Sequence, residues 1–365
     1  APGLQGKDLD TYVAAGVYSD HECATMEDAL AKLQRGQFIM IREGTAARNL
    51  EALAPLLTPQ YAERCMFCTD DKHPSDLLEK GHIDYIAREA INKYGVDPII
   101  AVKAACHHAS RYFLLNNRGA IAPGYLADFA VIDNFKDFNV EMVFKKGVLY
   151  WNNGELRDFE APKIEEYLDK RAHDTFHLPV LSPADFANTR LRGVIGMVPG
   201  QIITEDAGYA AGVDVSKDIL KMAVVERHKN TRHIGIGYLK GYGLKSGAVA
   251  TSVAHDSHNI ICVGTNDEDM AFAVNRIARN RGGIVVVENG QVLAELPLEI
   301  AGIISGKPLR EVNTLLEDAK KAAHALGVGT DIDPFMTLSF MSLPVIPTLR
   351  LTTRGVVDVN TQQYV

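Results

Sequence analysis

Phe38-Ile39-Met40-Ile41-Arg42 is a compact apolar run, and Cys65-Met66-Phe67-Cys68-Thr69 repeats the pattern after an intervening stretch with helical character at residues 47–57. Short apolar runs separated by helical periodicity read as strands. Ahead of Phe38, residues Met26, Ala29, Leu30 and Leu33 recur at i, i+3, i+4 and i+7, and residues 12–19 read as a further strand. Beyond Thr69, Ile83, Ile86, Ala87, Ala90 and Ile91 mark an amphipathic helix that closes near Gly95, and Asp97-Pro98 opens the next one. Alternation of this kind predicts a parallel sheet with helices packed outside it.

Three βα units cannot close a barrel and would leave two long unpaired edges. Residues 1–118 are therefore read as the last part of a TIM-type (β/α)₈ barrel. At roughly 30 residues per unit, about 150 residues of such a barrel would precede Ala1. Residues 119–155 change character: 129–132 and 140–150 are hairpin-like strands with Lys145-Lys146-Gly147 as the turn, the pattern of a partial β-sandwich subdomain. Residues 156–189 are polar and charged, and read as a linker or surface helix. A separate α/β domain is expected over 190–365, with strands at 194–198, 220–226, 260–264 and 283–288 and helices at 267–281 and 309–326. The overall class is α/β.

Composition narrows the function. The 365 residues are 47% hydrophobic and 23% charged, which excludes disorder and collagen-like repeats. With 38 Lys and Arg against 46 Asp and Glu, the net charge of −8 argues against a general nucleic-acid binder. No apolar run of about 18 residues is present, so no membrane span is expected. Five cysteines without regular spacing fit a reducing compartment.

Catalytic groups of such a barrel sit at the C-terminal ends of its strands. One strand end reads Ser19-Asp20-His21-Glu22 and another Thr69-Asp70-Asp71-Lys72-His73-Pro74. A His and an Asp on different strand tips could share a divalent cation, and imidazole with carboxylate suits Zn, Mn or Fe. Such a cation lowers the pKa of bound water toward 7, and Asp70 could carry its proton to a leaving group. The plainer reading makes His21 a hydrogen-bonded structural residue and Asp71 or Ser75 a helix N-cap. His255 and His258, three apart in Ser252-Val-Ala-His-Asp-Ser-His-Asn259, could converge on a site or a metal, or belong to a polar turn that leads into the strand at Ile260.

Several motifs together carry a resemblance. Pro2-Gly3-Leu4-x-Gly6-Lys7-x-Leu9, Tyr12-x-Ala14-Ala15-Gly16-x-x-Ser19-Asp20-His21-Glu22, Met66-Phe67-Cys68-Thr69-Asp70-Asp71-Lys72-His73-Pro74, Gly81-His82-Ile83-Asp84 and the 252–259 stretch resemble, in order, the adenine deaminases of the amidohydrolase superfamily. The resemblance implies the barrel tail, the post-barrel strands and an adenine deaminase C-terminal domain. It implies hydrolytic deamination of adenine to hypoxanthine by a metal-activated water. His21 would be the metal-binding histidine of strand six, and Asp70 the aspartate of strand eight that touches the metal and shuttles protons. Asp71 would hydrogen-bond the purine and Glu22 would be a substrate or supporting contact, with His255 and His258 as a contribution from the second domain. A divalent metal is implied, Mn or Fe with Zn as an option, binuclear in the complete enzyme. So are a cytoplasmic location, a role in purine salvage and a homo-oligomer with no nucleic-acid or membrane partner. The family's His-x-His of strand one, its strand-four ligand and its strand-five histidine have no counterpart here, so this chain by itself is expected to be inactive.

Other signals weigh little. Cys65-x-x-Cys68 lies within a β-run and has no second pair. The H-x-E and P-C-x-x-C elements of zinc nucleobase deaminases are missing, and His21-Glu22 lacks the second His of a zincin, Thr25 standing there instead. Gly302–Pro308 is one residue short of a P-loop, and Gly235-x-Gly237 has the wrong spacing for a dinucleotide loop. Both read as Gly-rich turns. Two alternatives stand beside the resemblance: another amidohydrolase acting on a cyclic amide, and a non-catalytic binding or assembly module.

Overall fold

The computed structural model describes residues 3–45, 47–198 and 202–365. Residues 199–201, which follow the strand expected at 194–198, and the Ala1-Pro2 start of the first motif lie outside the described residues. The chain divides into two compact units at Pro162/Lys163.

The first unit opens with α1 (Gly6–Ala14) and β1 (Ser19–Asp20), where the sequence reads as one strand over 12–19. Gly16 explains the difference. Its φ of 95° ends the helix, and its N–H bonds the Val13 carbonyl, so the extended run starts only beyond it. Then follow α2 (Met26–Leu33), β2 (Phe38–Arg42), α3 (Leu50–Leu53) with a 3₁₀ turn at Ala54–Leu56, and β3 (Cys65–Cys68). Pro55 lies in that 3₁₀ turn, which divides the helix expected over 47–57. The strands form one parallel sheet in the order β1-β2-β3, with Ser19 beside Phe38 and Arg42 beside Cys68. Ile39, Ile41, Cys65 and Phe67 are buried in one core with Ala29 of α2 and with Ile86, Ala87 and Ala90 of α5 (Ile83–Asn92). α4 (Pro74–Glu79) precedes α5, and α6 (Pro98–Val102) runs through a π turn at Lys103–His107 into α7 (His108–Tyr112).

Strands β4 (Phe129–Ile132), β5 (Val140–Lys145), β6 (Val148–Asn152) and β7 (Glu155–Leu156) form one antiparallel meander. Lys146 and Gly147, at φ 50° and 77°, make the two-residue turn between β5 and β6. Two positive φ values of this kind match the right-handed twist of a hairpin.

The second unit begins with α8 (Glu166–His173). The segment read as linker also supplies Leu181 and Phe186 to this unit's core, and Phe186 is fully buried. Strands β8 (Arg192–Met197), β9 (Thr204–Ala210), β10 (Ile219–Val225), β11 (Ile234–Lys240), β12 (Ala248–Thr251), β13 (Ile260–Gly264), β14 (Gly283–Glu288) and β15 (Gln291–Pro297) make an eight-stranded sheet. Its order is β15-β14-β12-β13-β10-β11-β8-β9, and only β11 and β8 run parallel. Alternation along β10 assigns the faces. Met222 and Val224 pack with α10 (Leu309–Ala325) and α11 (Pro334–Phe340), whereas Ala223 and Val225 pack with α9 (Asp267–Asn280). A small sheet of β16 (Leu349–Thr352), β17 (Gly355–Asp358) and β18 (Gln363–Tyr364) completes the unit.

Gly235 and Gly237 lie inside β11, not in a turn. A Cβ on Gly235 would sit 1.8 Å from the Thr352 carbonyl oxygen, and one on Gly237 would meet Val356 at 2.6 Å. Glycine here answers the close approach of β16 and β17. Among the described residues, no helix is long and apolar enough to cross a membrane.

Candidate active site

Three predicted residues converge at the C-terminal ends of the parallel strands, joined by one that the sequence reading did not select. Arg42, the last residue of β2, donates from Nη1 to Asp70 Oδ2 at 2.7 Å and to Glu22 Oε1 at 3.1 Å, and from Nη2 to Glu22 Oε2 at 3.3 Å. His21 Nε2 lies 3.2 Å from the same Glu22 Oε1. The groups thus form a chain, His21–Glu22–Arg42–Asp70. Only the guanidinium is well buried, its side chain 10% exposed against 31% for Asp70 and 40% for Glu22.

Charge fixes the protonation of this chain. The hydrogen bond with His21, then the Arg42 charge, hold the Glu22 carboxyl down at about 2 against the opposing effect of burial. The same hydrogen bond, which His21 donates to Glu22, raises the His21 imidazole above its ordinary value.

The two loops are built to hold these positions. Asp20, at the end of β1, accepts the Glu22 N–H at 2.6 Å on Oδ1, and its Oδ2 pairs with the fully buried Lys32 of α2 at 3.1 Å. Asn49 donates to the Cys23 carbonyl at 2.6 Å, bracing the far side of the His21-Glu22 turn. On the other loop, Asp70 sits at φ 53°, a left-handed conformation uncommon for a residue with a Cβ. Such strain persists where the surroundings over-determine it, and it clusters at functional sites. Here the β2 loop is the restraint. Thr45 N–H donates to the Asp71 carbonyl at 2.9 Å, Thr45 Oγ1 donates to Asp76 at 2.5 Å, and it accepts the His73 N–H at 2.9 Å. Gly44 permits the approach, since a Cβ there would lie 2.4 Å from the Thr69 oxygen and 2.7 Å from that of Asp71.

Asp71 therefore shares the Asp70 loop through its backbone. His255 and His258 lie in the second unit. Their ring centroids are 5.8 Å apart, His255 rests on Phe340 at 4.9 Å, and His258 Nδ1 accepts the Ala254 N–H at 3.3 Å. Cys65 and Cys68 are free thiols that burial pushes to about 12, which leaves them unreactive.

A catalytic cation takes about three protein ligands. Among the described residues no group of three His, Cys, Asp or Glu side chains is placed to hold one. His21 Nε2 and Asp70 Oδ2 are themselves engaged by Glu22 and Arg42. The residues present do not by themselves fit a metal centre.

Sequence comparison agrees with the two-part build. Residues 3–150 match the model of the amidohydrolase family, and residues 201–363 that of the adenine deaminase C-terminal domain. Adenine deaminases from Nitratidesulfovibrio vulgaris and Dehalococcoides mccartyi are each 44% identical to the chain, across 100% and 99% of its length. The adenine deaminase of Kosmotoga olearia is 43% identical across all of it. In both of its parts the chain is similar to adenine deaminases. It spans 64% of the length of each of these relatives. Among solved structures, a β-aspartyl dipeptidase from Fervidobacterium islandicum AW-1 aligns at 19% identity and a TM-score of 0.35, covering 44% of this chain and 46% of its own. The same enzyme with a β-Asp-Leu dipeptide aligns at a TM-score of 0.30, covering 37% and 38%.

Proposed function

We propose that the complete protein of which this chain is a part hydrolyses adenine to hypoxanthine and ammonia. The observation that carries the reading is the chain His21–Glu22–Arg42–Asp70 at the ends of parallel strands. The family supplies the substrate, and the match over residues 201–363 favours adenine over a cyclic amide. In this reading β1, β2 and β3 are the last strands of a (β/α)₈ barrel.

Asp70 takes a proton from the attacking water as its oxygen bonds to C6, and returns it to the departing amine as the C6–N bond breaks. Arg42 and the β2 loop hold that carboxylate at the barrel mouth. Glu22 orients His21, and Asp71 hydrogen-bonds the purine edge. A pocket that pairs with a base edge discriminates strongly, because the wrong base leaves buried groups unpaired. The family implies a divalent cation, Mn, Fe or Zn. His21 and Asp70 are two of its ligands in this reading, too few to define a centre here. The proposal extends to a cytoplasmic homo-oligomer serving purine salvage. The contacts of His255 and His258 support a scaffold role within their own loop.

Adenine-dependent ammonia release, measured with Mn²⁺, Fe²⁺ or Zn²⁺ on the full-length protein and on this chain, tests the proposal. Turnover is expected from the full-length protein and not from this chain. A full-length protein that binds metal yet leaves adenine intact would refute the substrate. Turnover by this chain would refute the ligand assignment.

A further inference from the structure

The loop that carries Asp70 and Asp71 ends where α4 begins, with His73 as N-cap, Pro74 first and Asp76 third in the helix. In an ordinary capping box the acid at that third position reaches back to the N–H of the N-cap. Here a hydroxyl from another strand's loop stands between the two. Thr45 Oγ1 accepts the His73 N–H at 2.9 Å and donates to Asp76 Oδ2 at 2.5 Å. The second Asp76 oxygen, Oδ1, pairs with Lys80 at 2.6 Å. Against the opposing effect of burial, Lys80 and then the Thr45 hydroxyl hold the Asp76 carboxyl below its ordinary value. An ionised carboxylate can only accept, which fixes the direction of the Thr45 hydrogen and leaves a hydroxyl lone pair to His73.

Thr45 thus ties the loop twice. Its backbone N–H holds the Asp71 carbonyl at 2.9 Å, and its hydroxyl holds the start of α4. Asp70 directly precedes the first tie, in its left-handed conformation, with its carboxylate on Arg42 Nη1 at 2.7 Å. Arg42 closes β2, and Thr45 follows three residues later in the same loop. The strand that supplies the guanidinium therefore also sets the register of the loop that brings the carboxylate to it.

We infer that the Thr45 hydroxyl is a positioning group for the Asp70 carboxylate, holding its loop in register with Arg42 through the start of α4. The bearing on catalysis rests on the proposed function, in which Asp70 moves the proton. A misplacement of about 1 Å can cost about 10²-fold in rate. The loss falls on kcat, because the Thr45 N–H, and with it the tie to the residue assigned to the purine edge, survives a change of side chain.

Thr45→Val keeps the branched shape without the hydroxyl, and Thr45→Ser keeps the hydroxyl. In the full-length protein supplied with Mn²⁺, Thr45→Val should lower kcat for adenine at least tenfold with KM within threefold of wild type. Thr45→Ser should restore kcat to within threefold. A hydroxyl that only stabilises the fold would lower the melting temperature and leave kcat per folded molecule unchanged, and that outcome overturns the inference. Equal losses of kcat in both variants overturn it as well. Hydrogen exchange over residues 70–76 of this chain needs no reaction. Protection, taken relative to the intrinsic rate, should fall at least tenfold in Thr45→Val and hold in Thr45→Ser. Unchanged protection in Thr45→Val sinks the positioning role and leaves the deamination standing. Lost protection in a protein that binds metal yet leaves adenine intact does the reverse.

Discussion

In the first unit, strands of two, five and four residues carry loops in which charge answers charge: Glu22 and Asp70 share Arg42, and Asp20 faces Lys32. In the second, an eight-stranded sheet covered on both faces carries a loop held mainly through its backbone, with Arg227 and His228 reaching its carbonyls. Side chains of the first loops are committed to one another, so each one removed disturbs several. A loop held by its carbonyls can change its side chains with little disturbance. Reactive groups belong with the first arrangement, where their positions are over-determined.

The largest expected effect is on chemistry. Asp70→Asn in the full-length protein should lower kcat for adenine by about 10²–10⁴-fold with an unchanged circular dichroism spectrum. Near-wild-type turnover would remove Asp70 from proton transfer. Next comes the close approach that holds its loop. Gly44→Ala sets a methyl group against two backbone oxygens that cannot move aside, and should cost about 1–3 kcal/mol in urea unfolding. Gly212→Ala, with nothing within 4 Å, is the matched control and should stay within about 0.5 kcal/mol. Equal costs at both positions would break the contrast between the loops. In the second unit, His255→Ala combined with His258→Ala should leave metal content and ammonia release of the full-length protein unchanged, and a fall in either would place the pair in the site.

The smallest effect is one of pH. Glu226 works against burial, yet N–H bonds from Thr231, Lys229 and His228 hold its carboxyl at about 2. A carboxyl lowered from its ordinary value near 4.5 stabilises the fold fully above that pH, and the contribution is lost as pH falls toward 2. Amide protection over residues 226–233, taken relative to the intrinsic exchange rate at each pH, should therefore fall between pH 4.5 and 2 in wild type, and this added loss should be absent in Glu226→Gln.

What could be read from the sequence follows from where the information lies. β2, β13 and β14 are continuous apolar runs, and their limits agree with the structure residue for residue. β11 was hidden because its glycines answer a contact with β16 and β17, more than a hundred residues away. β9 was hidden because Thr-Glu-Asp-Ala-Gly-Tyr-Ala is polar, as suits a strand at the sheet's edge. His21, Glu22 and Asp70 stand out as polar residues at strand ends. Arg42 does not, because its partners are set by the parallel register that places it beside Cys68, two residues before Asp70. A cation closing an apolar β-run was the available signal.

Lys32 and Asp20 carry a consequence for how the molecule comes together. Asp20 offers one carboxylate oxygen to the backbone of Glu22 and the other to a lysine on α2. The shape of the turn bearing His21 therefore depends on that helix being docked, with its ammonium out of water. A substitution that loosens α2 reaches the turn through Asp20 without touching His21 or Glu22.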